Sequence, residues 1–456
     1  MAIIRENGKE QPYVSLGLFK LRLPFVHYRW EWPEAIQGML LVAVPMGAIP
    51  VLQETMGVSF EVALTMMILN GLLYILHPTF GDPLFPGWIT PAIPLVLGYA
   101  SGFAQGVDRI HAIIALQLSM AVIFTLMGIT GWAKKLVGKV PVSLRGGIIL
   151  GAGIAAVHSV VNKTGRMAGM EITIMTGAVI CYLVLFSWRF QVAKDKNTFL
   201  MQLAKYGMLP GFIVAAIIGP IFKEIPMPDI QMGFSSLRFG ELISGYTVFG
   251  APGFPPVDYF IKAIPLVFAA YIIAFGDFVL AEVVTQDADE VRKDEVIDFN
   301  ANRSNIISGL RNLIMGLFAP YAPLNGPLWA GGTIACVERY KHGRKSMDSI
   351  FSGMSSYIIA MAVAAFFTPI ISLVRPVLPA GLSLTLIVQG FACAYIAMDM
   401  LKTKEERGVA GIMAIFLAFR GASWGLAVGV ILHIVIGVRN AVTQKIEPQE
   451  VESLES

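Results

Sequence analysis

The sequence predicts an all-α polytopic membrane protein of about 14 spans, arranged as a 7+7 inverted repeat with a short, broken half-helix as the third and the tenth span. Three observations predict it. The 456 residues are 55% hydrophobic and only 14% charged, with a mean hydropathy of +0.67. A soluble chain carries about 25% charged residues, so much of this surface must face lipid. Apolar stretches long enough to cross a bilayer recur from end to end. One helix-breaking phrase is also written nearly twice, as Pro83-Leu84-Phe85-Pro86-Gly87 and as Pro327-Leu328-Trp329-Ala330-Gly331.

Residues 1–34 are polar and aromatic and lack the apolar core and small-residue cleavage site of a signal peptide. They read as a cytoplasmic tail, with LGLFKLRLPF (16–25) as a candidate interfacial amphipathic segment. The first repeat occupies 35–223, with spans beginning near Ala35, Ser59, Leu84, Ile110, Val142, Ile172 and Tyr206. A connection rich in Pro and Gly, 224–260, lies outside the membrane. The second repeat occupies 261–438, with spans beginning near Ile261, Arg303, Ala322, Asp348, Pro376, Gly408 and Ala422. Within it, TQDADEVRKDEVIDFNAN (285–302) reads as a charged inner loop with a short helix. Residues 439–456 form a second cytoplasmic tail.

Orientation follows from the basic residues. With the N-terminus inside, 24 of the 34 Lys and Arg fall in inner connections and tails and 8 in outer connections, leaving Arg145 and Arg311 within helices. Inner loops of membrane proteins are the ones enriched in Lys and Arg. Both termini are therefore expected in the cytoplasm, and the protein in the plasma (inner) membrane.

The doubled phrase carries the functional argument. Its copies are offset by 244 residues, and a second echo, Val51-Leu52-Gln53-Glu54 against Val279-Leu280-Ala281-Glu282, is offset by 228. The copies occur in matching order, and seven spans per half forces opposite topology, the inverted-repeat pattern of secondary transporters. Broken backbone at membrane depth is tolerated only where protein buries it or water reaches it. Each half-helix would aim its free N–H groups at whatever lies near the midplane.

Asp277, in YIIAFGDFVLAEVV, is deep in the eighth span, with Ile273 and Ala281 on the same helical stripe. An intramembrane acid is costly and needs a reason to be there. Without a basic neighbour on its own helix, Asp277 suits the uptake and release of a proton. Asp82 and Asn325 precede the two phrases, where helix capping is the simple role. Glu54 and Glu282 lie near helix ends, and Arg420 sits at a helix junction as an anchor. His158 and His433 read as bonded core histidines. Cys181, Cys336 and Cys393 form no CxxC or Cys/His cluster, so neither a disulfide framework nor a metal site is expected. No catalytic or nucleotide-binding motif is present, so an enzyme is not expected, nor any cofactor. A net charge of +3 without a basic aromatic run points away from nucleic acid.

On these residues the chain resembles the nucleobase–ascorbate transporter family (xanthine/uracil permeases), whose fold is shared with sulfate permeases and bicarbonate transporters. The resemblance covers the membrane portion and is strongest from Ile272 to Thr333. It implies proton-coupled uptake of a nucleobase or similar planar solute by alternating access, in a homodimer. By that resemblance Asp277 falls on the acid that binds the solute. Asn325 falls on the polar residue at the start of the tenth half-helix, and Gln37 on the first-span Gln. Gly326, Gly87, Phe85 and Trp329 complete the expected site. Departures are present: Asp277 and Asn325 are shorter than the family's usual residues, Gly38 stands where a His is common, and Gly326 replaces an Asn. The alternative is a sulfate-permease-like transporter of a small inorganic or carboxylate anion. Against it, 84–100 and 322–336 contain no Lys or Arg.

Overall fold

The computed structural model describes residues 5–438 apart from 195 and 206, so the expected tail 439–456 lies outside the described residues. The chain is mostly helical and multi-pass. Among the described residues six helices are long and apolar enough to cross a membrane: α1 (Trp32–Met56), α2 (Phe60–Thr79), α4 (Val107–Thr130), α5 (Val142–Val161), α8 (Val257–Val291) and α12 (Thr368–Met400). Between them lie α3 (Ile93–Ser101), α6 (Glu171–Phe186), α7 (Leu209–Ile221), α9 (Ala301–Phe318), α10 (Ala330–Tyr340) and α11 (Ile350–Ala364), with α13 (Lys404–Arg420) and α14 (Ala422–Ile436) at the end. Helix α6 and the following Trp188–Lys194 would pass together but are bent by 60°.

Local chemistry sets several of these ends. Ser59 accepts a hydrogen bond from the Val62 amide at the start of α2. Ser349 with Ser352, and Thr403 with Glu406, form capping boxes at α11 and α13. Pro45 and Pro50 account for the interruption within α1.

The helices form two groups. In one, α4 packs on α8 and α9, α1 on α11, and α10 on both α8 and α11. In the other, α5 packs on α12, α13 and α14, and α6 on α7 and α12. Small residues permit the closest approaches: Gly147 and Gly151 of α5 lie directly against Met413, Ala414 and Leu417 of α13. Helix α3 and the turn before it sit between the groups, touching α1 and α4 on one side and α5 and α12 on the other. Helix α8 also faces both, touching α5 and α14.

Three expectations take a more definite form. Within the candidate amphipathic segment 16–25 and just before it, Val14–Leu16 (β1) and Phe19–Leu21 (β2) make an antiparallel hairpin. Gly17, at φ +65°, makes its tight turn. The Lys20 and Arg22 amides bond to the Phe80 and Thr79 carbonyls at the end of α2. The stretch TQDADEV continues α8 to Val291, because a solvated polar helix needs no apolar face, and only 292–300 is non-helical. The connection 224–260 contains a helix of its own, Phe239–Tyr246.

Candidate functional site

The two phrases meet. Gly87–Trp88 (β3) and Asn325–Gly326 (β4) pair antiparallel, with Gly87 opposite Gly326 and Trp88 opposite Asn325. The Ile89 amide donates to Leu324 O at 3.1 Å, and the Trp329 amide to Phe85 O at 2.6 Å. The prolines on either side keep both segments extended, and two glycines let the strands approach. A Cβ on Gly87 would lie 2.9 Å from the Trp329 Cβ.

The copies are not used identically. Helix α10 starts at Ala330, directly after Trp329, and no side chain caps it. Its first-turn amides, on Ala330, Gly331 and Gly332, are donors that the helix itself cannot pair. In the first copy the extended segment runs on from Phe85 through Ile89 before the Thr90–Ala92 turn leads into α3. Pro91 and Pro94 remove amide donors from that start. The donors at the crossing therefore belong mainly to α10.

Phe85 and Trp329 pack edge to face at 4.9 Å, and Phe85 also meets Tyr357 at 4.9 Å and Tyr74 at 6.1 Å. Phe85 is fully buried, so it supports the crossing from within; Trp329 is only partly covered. Thr333 ties the strand to α10, its hydroxyl accepting from the Phe85 amide at 3.1 Å.

Asp277 is partly accessible and makes no hydrogen bond or ion pair among the described residues, to the backbone amides of α10 or elsewhere. One turn along α8, Ala281 packs against Leu84 and Leu328 of the two phrases. Asp277 therefore stands about 6 Å along the helix from the crossing. Gly276 beside it, and Gly331 in the first turn of α10, are exposed although they lie deep in the chain's apolar segments. Asp277 is also within electrostatic range of the Cys393 thiol on α12, across the space between the two helix groups.

Gln37 is half-buried on α1. Its neighbour Gly38 packs against Tyr357, which connects it to the aromatic cluster rather than to the strands. Glu54, in the last turn of α1, pairs with Arg166. Glu282 lines a separate cleft of about 240 Å³ with Thr285, Gln286, Asp289 and Asp298. His158 packs on Phe419 at 4.7 Å, and His433 bonds the Ser143 hydroxyl at 3.1 Å.

Asn325 and Asp82 do not cap helices. The Asn325 amide N–H donates to Asn312 Oδ1 at 3.1 Å and its side-chain Oδ1 accepts from Arg311 Nη2 at 3.1 Å. Asp82 Oδ2 meets His77 Nδ1 at 2.7 Å, with both side chains fully buried. Sequence reasoning missed the centre of this cluster, Arg311 of α9. It is fully buried and donates to Gly326 O at 2.9 Å and to Gly87 O at 3.4 Å. It reaches His77 Nε2 at 3.4 Å and lies 4.7 Å from the Tyr74 ring centre. One basic side chain thus holds both phrases, although 84–100 and 322–336 contain no Lys or Arg of their own. The available signal was α9 itself: ANRSNIISGLRNL is too polar to face lipid and had to be buried against something polar.

No family model matches this chain, and neither does any curated protein sequence. Solved structures do. The transmembrane domain of a cyanobacterium bicarbonate transporter, BicA, is similar at 15% identity and a TM-score of 0.50, over 90% of this chain and 97% of that one. SLC26A9 is similar at 15% identity and a TM-score of 0.52, over 90% of this chain and 66% of that one. The murine Slc26a9 anion transporter, in the inward-facing state, is similar at 16% identity and a TM-score of 0.50, over 90% and 69%. At such identity the likeness is one of fold. The likeness is to the fold of proteins described as bicarbonate and anion transporters, and it does not bear out the nucleobase part of the expectation.

Proposed function

We propose that this chain is a secondary active transporter of a small anion, coupled to protons and working by alternating access. The solute would sit at the crossing of β3 and β4, on the first-turn amides of α10, with Gly87, Gly326 and Trp329 around it. The observation that carries this reading is the meeting of an uncapped helix start and a buried guanidinium at one strand pair. A helix N-terminus favours negative charge, and Arg311 adds a full positive charge close behind. The fold neighbours named as anion and bicarbonate transporters support the same solute class. The lack of Lys and Arg in 84–100 and 322–336 counted against an anion, and Arg311 removes that objection.

The finer architecture belongs to this reading. The proposal is 14 spans in two inverted repeats, 35–223 and 261–438, in the plasma (inner) membrane with both termini cytoplasmic. Support comes from the antiparallel meeting of the doubled phrase and from the Lys/Arg asymmetry. The two helix groups would rock about the crossing.

Asp277 supplies the coupling. An ionised carboxylate one helical turn from a bound anion repels it, and protonation removes the repulsion. Proton and anion therefore bind better together than apart, and the linkage is reciprocal. The test is uptake of labelled bicarbonate, sulfate and chloride into proteoliposomes, alongside a thermal-shift screen with the same anions, carboxylates and nucleobases. Stabilisation by an anion and uptake accelerated by an inward proton gradient are expected. Stabilisation by uracil or xanthine and by no anion would overturn the reading. Asp277→Asn should remove the gradient's effect, a loss of at least about tenfold in driven uptake, while anion binding persists. Undiminished coupling in that variant would strip Asp277 of its role.

A further inference from the structure

Arg311 lies behind the solute site of the proposed transport cycle, and the groups that orient it have had no role so far. Arg311 uses its fork on the carbonyls of Gly326 and Gly87 and on the Asn325 side chain, so one side chain joins both phrases. Its contact with His77 Nε2 requires that nitrogen to accept, which places the imidazole proton on Nδ1, where it donates to Asp82. The ring therefore separates the guanidinium from the carboxylate. Among the described residues no carboxylate lies within ion-pair distance of Arg311, and Arg311 Nε, Asp82 Oδ1 and Asn325 Nδ2 are buried without partners.

We infer that Arg311, oriented by His77 and Asp82, sets the charge preference of the solute site through the strand pair, without touching the solute. This rests on the anion-transport reading and names what in the fold enforces it. The array is a buried dipole whose positive end lies against the crossing and whose negative end lies beyond the imidazole. In a low-dielectric interior such a field is weakly screened. It has the same sign as the α10 start on the crossing. If Arg311 served shape alone, apolar packing would hold the strands at less desolvation cost. A planar fork bonded to two backbone carbonyls fixes where the charge sits, which a lysine does less well.

The experiment is sulfate and bicarbonate binding to the purified full-length protein, with melting temperatures as the control for folding. Arg311→Gln should weaken binding about tenfold or more, and Arg311→Lys, which keeps the charge, by no more than about threefold. Asp82→Asn removes the negative end of the array and should tighten binding about threefold. A purely structural array predicts the opposite for Asp82→Asn, because that variant also disturbs the buried bond to His77. Wild-type binding with unchanged affinity in folded Arg311→Gln overturns the inference alone, as does Asp82→Asn weakening or leaving binding unchanged. If Arg311→Gln does not fold, Asp82→Asn decides. Wild-type protein that binds neither anion overturns the transport reading itself, before any variant is compared.

Discussion

At the loop after α8, buried arginines meet carboxylates directly; at the crossing, Arg311 meets none. Arg292 grips Asp294 with two bonds, at 2.8 and 2.6 Å, and Arg5 reaches the same carboxylate at 2.7 Å. Arg5 also pairs with the fully buried Glu295 at 3.3 Å. The remaining donors of Arg292 go to the carbonyls of Tyr340, Met347 and Asp348. There the charges cancel where they touch, and the result joins the N-terminal segment to the start of α11. Arg311 is satisfied by dipoles instead, so its charge is felt at the site beside it. Contact between opposite charges makes a fastening, whereas separation of them makes a field.

The largest effect should come from unbalancing the fastening. Glu295 accepts from the Ser349 hydroxyl at 2.6 Å and the Ile350 amide at 3.3 Å as well as pairing with Arg5. Glu295→Ala leaves a buried cation short of a partner and two donors at the α11 start unanswered. Loss of one member of a buried pair costs about 3–5 kcal/mol, measurable by unfolding of the purified protein, while affinity per folded molecule should hold. A loss under about 1 kcal/mol would mean the loop is not a fastening.

A smaller effect is expected from crowding the crossing. A Cβ on Gly87 would lie 2.9 Å from Trp329 Cβ and 3.0 Å from Leu328 O, close to main chain that cannot swing away. Gly87→Ala should cost about 1–3 kcal/mol as overpacking and should abolish uptake by parting the strands. Gly276→Ala is the control, since its Cβ would meet nothing within 4 Å. Equal uptake in the two variants would break the claim that the strand pair is the working part.

What the sequence made legible follows the same division. Local features could be read: the apolar stretches, and the prolines and glycines that force both phrases out of helix. The expected meeting of Phe85, Gly87, Gly326 and Trp329 needed only the echo and the topology. Arg311 could be placed on a helix but not aimed, because His77 and Gly87 are 234 and 224 residues away. Asn325, expected as a solute ligand, also accepts a bond from Arg311, a contact invisible without its partner. The hairpin at 14–21 was missed because alternate apolar residues over so short a run fit a strand or an amphipathic helix equally. The polar end of α8 is expected as a short helix in a loop, and its continuity with the span was not legible because a solvated helix has no apolar stripe to extend.

The smallest expected effect separates two adjacent acids within the fastening. Bonding by Arg292 holds Asp294 at about 2, below its ordinary 3.8, whereas burial pushes Glu295 above its ordinary 4.5. The signs are opposite. Asp294 contributes stability in full above its unfolded value, and that contribution is lost as the pH falls from about 4 towards 2. Glu295 contributes below its unfolded value and loses that contribution as the pH rises through its elevated folded value. Asp294→Asn should therefore lower the melting temperature by a few degrees at pH 6, with the gap to wild type closing as the pH falls below about 4. Glu295→Gln should lie nearest wild type at neutral pH and fall behind as the medium is acidified. A gap that stays constant with pH in both variants would mean the two carboxylates act by shape, and the contrast with Arg311 would then rest on packing rather than on charge.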